Sequence, residues 1–313
     1  MKKIILILTI ILIVSGCQIQ KTNEGEKEIT TIDGNNQEKT ILIKNNPNRL
    51  AVMDYSALDI IDSLNLGDNV VGVSKQNLNV DYLNKYINDE KLINLGTVKE
   101  PNMEAILEAN PDLIIIGGRL ASYYDELSKI APVYLLKTDP TIGVINSIKE
   151  NTKTIASLYG LEKQVEILFD DYTKRINKLN EQLNGKKAII GMMSGQKYSI
   201  LGNDGRCSLI TDEIGFENVG IENNQEISTH GNEVSYEFIL NKNPEYIFVL
   251  DRDQAIGSQS NVQQIIENEL IKETIASKNN NVIILNNSNV WYMVDGGVQA
   301  LGLMISDIEN NIK

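Results

Sequence analysis

The sequence predicts an α/β protein: two Rossmann-like lobes with mostly parallel sheets, joined by a long helical spine. Three observations carry that prediction. In Leu161–Leu183, LEKQVEILFDDYTKRINKLNEQL, the residues Leu161, Val165, Leu168, Phe169, Tyr172, Ile176, Leu179 and Leu183 recur at three- and four-residue steps, the period of a helix. Gly185 follows as its stop, and the 23 residues would reach about 35 Å. Related sequence lies on both sides of that helix. PNMEAILEANPDLIIIGGR (Pro101–Arg119) and VSYEFILNKNPEYIFVLDR (Val234–Arg252) align at a constant offset of 133, which pairs Glu104 with Glu237, Asn110-Pro111 with Asn243-Pro244, and Arg119 with Arg252. Finally, short apolar runs alternate with amphipathic ones on each side, the pattern of strands and helices in an α/β lobe.

The chain has 313 residues, enough for two domains at about 150 each. Hydrophobic residues make up 42% and charged residues 23%, which is ordinary for a globular protein. The net charge of −13 argues against nucleic acid and against charge-driven binding to anionic lipid, but leaves a locally positive site open.

Residues 1–16 read as a signal peptide: Lys2 and Lys3, then an apolar run from Ile4 to Val14 that is too short to span a bilayer well. Val14-Ser15-Gly16-Cys17 resembles the bacterial lipobox, which implies lipidation of Cys17 and an anchor on the extracytoplasmic face of the cell membrane. Loss of the two lysines takes the charge from −13 to −15, and leaves Cys207 without an intramolecular disulfide partner. Residues 17–40 are polar and without periodicity, and are expected to form a flexible tether.

The N-terminal lobe is expected over 41–142. Its strands are placed at Leu50–Met53, Val70–Val73, Leu113–Ile116 and Val133–Leu136, and its helices at Ala57–Leu66, near Met103–Glu108 and near Ala121–Ile130. A helical connection occupies 143–184. The C-terminal lobe, 185–313, repeats the alternation from Ala188–Met192 through Ile210–Ile214, Ile265–Ile275 and Val282–Leu285 to a last helix at Gly297–Ile312.

Loops after strand C-termini are where α/β folds place ligands. Only five arginines stand against 24 lysines, yet Arg119, Arg206 and Arg252 all fall in such loops. Arginine forks onto oxygen anions in a way lysine does not, so the three suggest an oxyanion-rich ligand between the lobes; local salt bridges at strand ends are the plainer alternative. His230, the only histidine, lies in STHGNE, and Tyr292 follows the final strand in NVWYMVD. Both are either ordinary surface and half-buried side chains or ligands capable of meeting iron. One histidine and one tyrosine do not make a high-affinity site for a bare transition metal, so any metal would arrive already chelated.

MDYSALDIIDSLNLGDNVVGV, EPNMEAILEANPDLIIIGGR, NDGRCSLITDEIGFENVG and EVSYEFILNKNPEYIFVLDRD resemble the class III substrate-binding lipoproteins of bacterial ABC importers. Within these, the resemblance is to the ferric-catecholate siderophore binders, a group that includes petrobactin receptors, and it extends from Ile41 to the end. It implies a monomeric carrier with no intrinsic cofactor, whose ligand is a ferric siderophore complex held in a shallow cleft between lobes of limited closure. Arg119, Arg206 and Arg252 would surround the anionic chelate. His230 and Tyr292 would complete the iron shell of an incompletely chelating siderophore. Glu104 and Glu237 would dock on the permease dimer, which works with its ATPase. The same fold carrying ferric hydroxamate, citrate, haem or cobalamin is the alternative. A lipid-anchored hydrolase is a remote one, because Gly191-Met192-Met193-Ser194-Gly195 is GxxSG and not the nucleophile elbow GxSxG.

Overall fold

The computed structural model describes residues 25–76, 80–139, 141–222 and 226–312. Cys17 and the signal peptide lie outside the described residues.

The described chain opens on a hairpin of β1 (Glu26–Ile32) and β2 (Glu38–Lys44), where a structureless tether is expected as far as residue 40. Its buried residues are few, Ile29, Thr31 and Ile43; Ile32, Ile41 and Leu42 are not buried and the rest of both strands is charged or polar, so the alternation is easily missed. Asp33-Gly34-Asn35-Asn36 makes the turn: the Asp33 carboxylate accepts from the Asn35 and Gln37 amides, and Asn36 takes φ +60°. The Leu135 amide donates to Thr31 Oγ1 at 3.0 Å, and Lys27 Nζ donates to the Ser157 carbonyl at 2.9 Å. The first bond fastens the hairpin to the edge strand of the first sheet, and the second ties it to the end of the helix Val144–Ser157.

That sheet comprises β3 (Leu50–Val52), β4 (Val70–Val73), β5 (Ile93–Asn94), β6 (Leu113–Gly117) and β7 (Val133–Leu136), in the order β5-β4-β3-β6-β7 and parallel throughout. Helices α1 (Tyr55–Ser63), α2 (Asn84–Ile87), α3 (Met103–Ala109) and α4 (Tyr124–Leu127) lie between them. The continuous apolar run of β6 is buried at every position, as a parallel strand covered on both faces requires.

Helix α5 (Val144–Ser157) leads into α6 (Glu162–Leu183), the spine. Six of the eight apolar positions named from sequence are buried in it: Val165, Phe169, Tyr172, Ile176, Leu179 and Leu183. Gly185, at φ +77°, turns the chain after it.

The second sheet is mostly parallel with an antiparallel edge. β8 (Lys187–Ser194), β12 (Tyr246–Asp251) and β13 (Val282–Ile284) are parallel, and the short β10 (Glu217–Asn218) also runs parallel to β8. β9 (Lys197–Ile200) returns antiparallel to β8 across the Ser194–Lys197 turn, and β11 (Asn232–Val234) is antiparallel to β9. The other elements are α7 (Tyr236–Lys242), α8 (Arg252–Ala255), α9 (Gln263–Glu267), α10 (Glu269–Lys272), α11 (Ile275–Lys278), α12 (Ser288–Met293) and α13 (Val298–Asn311). Ile210–Ile214 belongs to a single wide helical turn, and Ile265–Ile275 is broken into short helical pieces by the caps at Asn268 and Thr274.

The final helix crosses back to the first lobe. Asp59 of α1 is fully buried and accepts from the amides of Gln299 and Ala300, at 2.8 and 3.0 Å, and from the Tyr82 hydroxyl. An N-lobe carboxylate thus caps the last helix of the chain. Burial pushes the Asp59 carboxyl up to about 6 despite those donors. The Gly296 amide donates to Ser56 Oγ at 3.1 Å, and on the far side of α13 Arg175 of the spine pairs with Glu309 at 2.6 Å. Helices α1, α6 and α13 thus cross-brace the two sheets.

Candidate functional site

The ends of β6, β12 and β8, the loop after β9, and α12 converge between the sheets. Arg252 is the first residue of α8, which Asp251 caps by accepting from the Gln254 amide. This places the guanidinium directly beyond the strand, where Nε donates to Tyr292 Oη and one terminal nitrogen donates to Ser194 Oγ, both at 3.2 Å. Arg206 approaches the face of the same tyrosine: its guanidinium carbon lies 4.4 Å from the ring centroid, against 5.9 Å for Arg252. Tyr292 itself is buried.

Arg206 also donates to the Thr229 carbonyl at 3.1 Å, while its Nε is buried with no hydrogen-bond partner among the described residues. The following residue, Cys207, adopts φ +66°, which turns the chain sharply after the arginine. Its thiol is buried, free and pushed well up by burial, so it is a poor nucleophile.

Arg119 leaves β6 through a 3-10 turn (Gly118–Tyr123) and is exposed. It makes no hydrogen bond among the described residues, but it faces Asp54 and Asp295 electrostatically. Burial pushes both carboxyls up; Arg119 opposes this at each, and Arg206 does so at Asp295. These two acids were not among the residues singled out from sequence. Asp54 looks there like a helix cap alone, and Asp295 gives no signal.

His230 is exposed in the turn beside Thr229, and its side chain makes no hydrogen bond, ion pair or ring contact among the described residues. The same described residues contain no group of three His, Cys, Asp or Glu side chains placed to hold a metal. Ser194, the serine of the GxxSG stretch, lies at the end of β8 with its hydroxyl taken by Arg252, and Gly191 of that stretch leaves room for the Tyr198 ring. Glu104 and Glu237 are exposed in the first turns of α3 and α7. The Glu237 carboxyl is lowered by its own amide and the Ser235 hydroxyl.

Two braced α/β lobes with arginines at the strand ends between them define a solute-binding fold. The chain belongs to the periplasmic binding protein family, whose model matches residues 50–288, and residues 1–18 match the prokaryotic membrane lipoprotein lipid attachment site. It is therefore a lipid-anchored, extracytoplasmic protein. It is 35% identical over 308 residues to the petrobactin-binding protein YclQ of Bacillus subtilis, covering 96% of this chain and 95% of that one. The ferric-anguibactin-binding protein FatB of Vibrio anguillarum is 26% identical, over 85% and 83%. The crystal structure of YclQ superposes with a TM-score of 0.81 at 36% identity, covering 91% of this chain and 98% of that one. That of the catecholate-siderophore binding protein VctP from Vibrio cholerae does so with 0.80 at 30% identity, covering 91% and 100%.

Proposed function

We propose that this protein captures a ferric siderophore of the catecholate type between its lobes and delivers it to an ABC permease. The observation that carries the reading is the arginine arrangement. Arg206 and Arg252 clasp Tyr292 from one lobe, Arg119 stands free on the other, and the buried Arg206 Nε still has a hydrogen bond to offer. A ferric catecholate is a compact multiple anion rimmed with oxygens. Charge-assisted hydrogen bonds to it contribute roughly 1.5–3 kcal/mol each, so three arginines supply much of a sub-micromolar affinity before the costs of association. The relatives support the same class of ligand.

Tyr292, contacted by two arginines, and the exposed His230 are the side chains that would meet iron when a siderophore leaves coordination sites open. Glu104 and Glu237 serve as the docking pair for the two halves of the permease, and the protein works as a monomer. The relatives are binding proteins, and the engaged Ser194 supports carrier rather than hydrolase.

A quenching panel tests the reading. Tyr and Trp emission of the purified protein is titrated with ferric catecholates, ferric hydroxamates and haem. Catecholates should quench strongly and bind most tightly; hydroxamate binding of equal or greater affinity would overturn the catecholate assignment.

A further inference from the structure

The cleft is not simply positive. Asp54 stands at the end of β3 and caps α1 with one oxygen, Oδ1, which accepts from the Ala57 amide at 3.0 Å. Its other oxygen lies against Gly117 at the end of β6, where a Cβ would overlap the carboxylate. Only glycine at 117 lets this acid reach the strand that delivers Arg119. On the opposite side, Asp295 sits between α12 and α13 and lines a cavity of about 60 Å³ with Gly205, Cys207 and Trp291. The bond from the Gly296 amide to Ser56 Oγ joins the residue after Asp295 to the first turn of α1, and so brings the two acids together across the lobe boundary.

We propose that Asp54 and Asp295 are charge-setting residues of the cleft: they cancel part of the positive charge that Arg119 and Arg206 present to the ligand. The inference rests on the anionic-ligand reading above. A helix cap alone would explain Asp54 Oδ1. It does not explain why the second oxygen is turned to the Arg119 strand, nor why an acid on the other lobe faces both arginines.

Such acids couple ligand capture to protons. The charged groups that face them are Arg119 and Arg206, with Asp54 and Asp295 facing each other; Tyr55 and Cys207 lie within the same field. Burial already favours their protonated forms, and an arriving anion favours them further. Binding of an anionic chelate therefore takes up protons and tightens as pH falls. A neutral chelate lacks this dependence.

The test uses the full chain, the single variants Asp54→Asn and Asp295→Asn, their double variant, and Asp295→Glu. Asn retains a cap oxygen at 54. Affinity for a ferric tris-catecholate and for a neutral ferric trihydroxamate is measured from the ordinary carboxylate range upward into alkaline solution, because burial displaces both carboxyls upward. The wild type should lose catecholate affinity as pH rises. The double variant should bind about tenfold more tightly than wild type at the alkaline end, with the slope flattened, and Asp295→Glu should restore the slope. Equal weakening at every pH would mean that the acids only support the fold, and parallel slopes in wild type and double variant would overturn the inference.

A second measurement needs no ligand. A carboxyl whose folded value is raised contributes stability below the ordinary carboxylate range and loses it as pH rises through the raised value. Asp295→Asn should therefore raise Tm relative to wild type at neutral pH, and that gain should vanish in acid. If no catecholate binds the wild type, the functional reading fails, and the Tm comparison still decides whether the two acids are buried against the arginines.

Discussion

The two copies of the helix–Asn-Pro–strand unit share a backbone and differ in what they do with their arginine. α3 ends at Asn110 with φ +43° and ψ +61°, and α7 ends at Asn243 with φ +43° and ψ +59°. Each is capped by a polar side chain, Asn102 or Ser235, and each runs through proline into a buried parallel strand. Beyond the strand the copies part. Gly117-Gly118 releases Arg119 into an exposed turn, whereas Asp251 caps a new helix that fixes Arg252 against Tyr292 and Ser194. A duplicated scaffold thus presents one prepared cation and one free to adjust. On the proposed reading, half of the cleft is built before the ligand arrives.

The largest way to probe that symmetry is at the outer ends of the two copies. Glu104→Arg with Glu237→Arg should abolish iron-siderophore transport in cells lacking the native lipoprotein, while quenching by the ligand and the unfolding curve stay near wild type. Rim charges of this kind set docking more than ligand affinity. Each glutamate also sits in a first helical turn, where the dipole favours it by ~0.3–1 kcal/mol. Normal transport by the double variant would reduce them to that role.

Next come the arginines. Arg206→Gln and Arg252→Gln should each weaken catecholate binding by roughly 2–3 kcal/mol, and Arg119→Gln by only about 1, because the last begins exposed and without hydrogen bonds. Equal losses at all three, measured by the same titration, would mean that fixing the arginine in advance counts for nothing. Tyr292→Phe should spare a hexadentate chelate and weaken a tetradentate one, as read from a pair of quenching titrations. A uniform loss would show that the phenol acts only through Arg252.

The smallest effect separates the two asparagines. Both occupy left-handed backbone that glycine also adopts freely. Asn243 Oδ1 also accepts from the Ile275 amide at 2.9 Å; no such side-chain bond holds Asn110 among the described residues. Asn243→Gly should therefore cost about 1 kcal/mol in chemical denaturation and Asn110→Gly only a few tenths. Matched losses would mean that the copies are locked in the same way.

The repeat, the spine and the strand-end arginines were legible because each rests on spacing along the chain: Val165, Phe169 and Tyr172 at helical steps, Arg119 and Arg252 at a shared offset. The hairpin was not. Of its fourteen strand residues only Ile29, Thr31 and Ile43 are buried, and a strand that packs on one edge leaves little apolar pattern to read. The antiparallel β9 is hard to see because it is only four residues long, KYSI, and returns through the short turn Ser194-Gly195-Gln196-Lys197. Asp54 and Asp295 escaped for a different reason. A carboxylate before a helix is ordinary, and only the fold reveals that Gly117 and Ser56 bring these two to face the arginines.

The hairpin also alters the mechanics of the anchor. With β1 beginning at Glu26, only eight residues carry the chain from Cys17 to Gly25, a leash of at most about 28 Å rather than one running on to residue 40. A carrier on so short a leash samples a thin shell of space above the lipid. Its effective concentration at a neighbouring permease is then set by the geometry of that shell more than by the affinity of docking, so a weak contact suffices for repeated delivery.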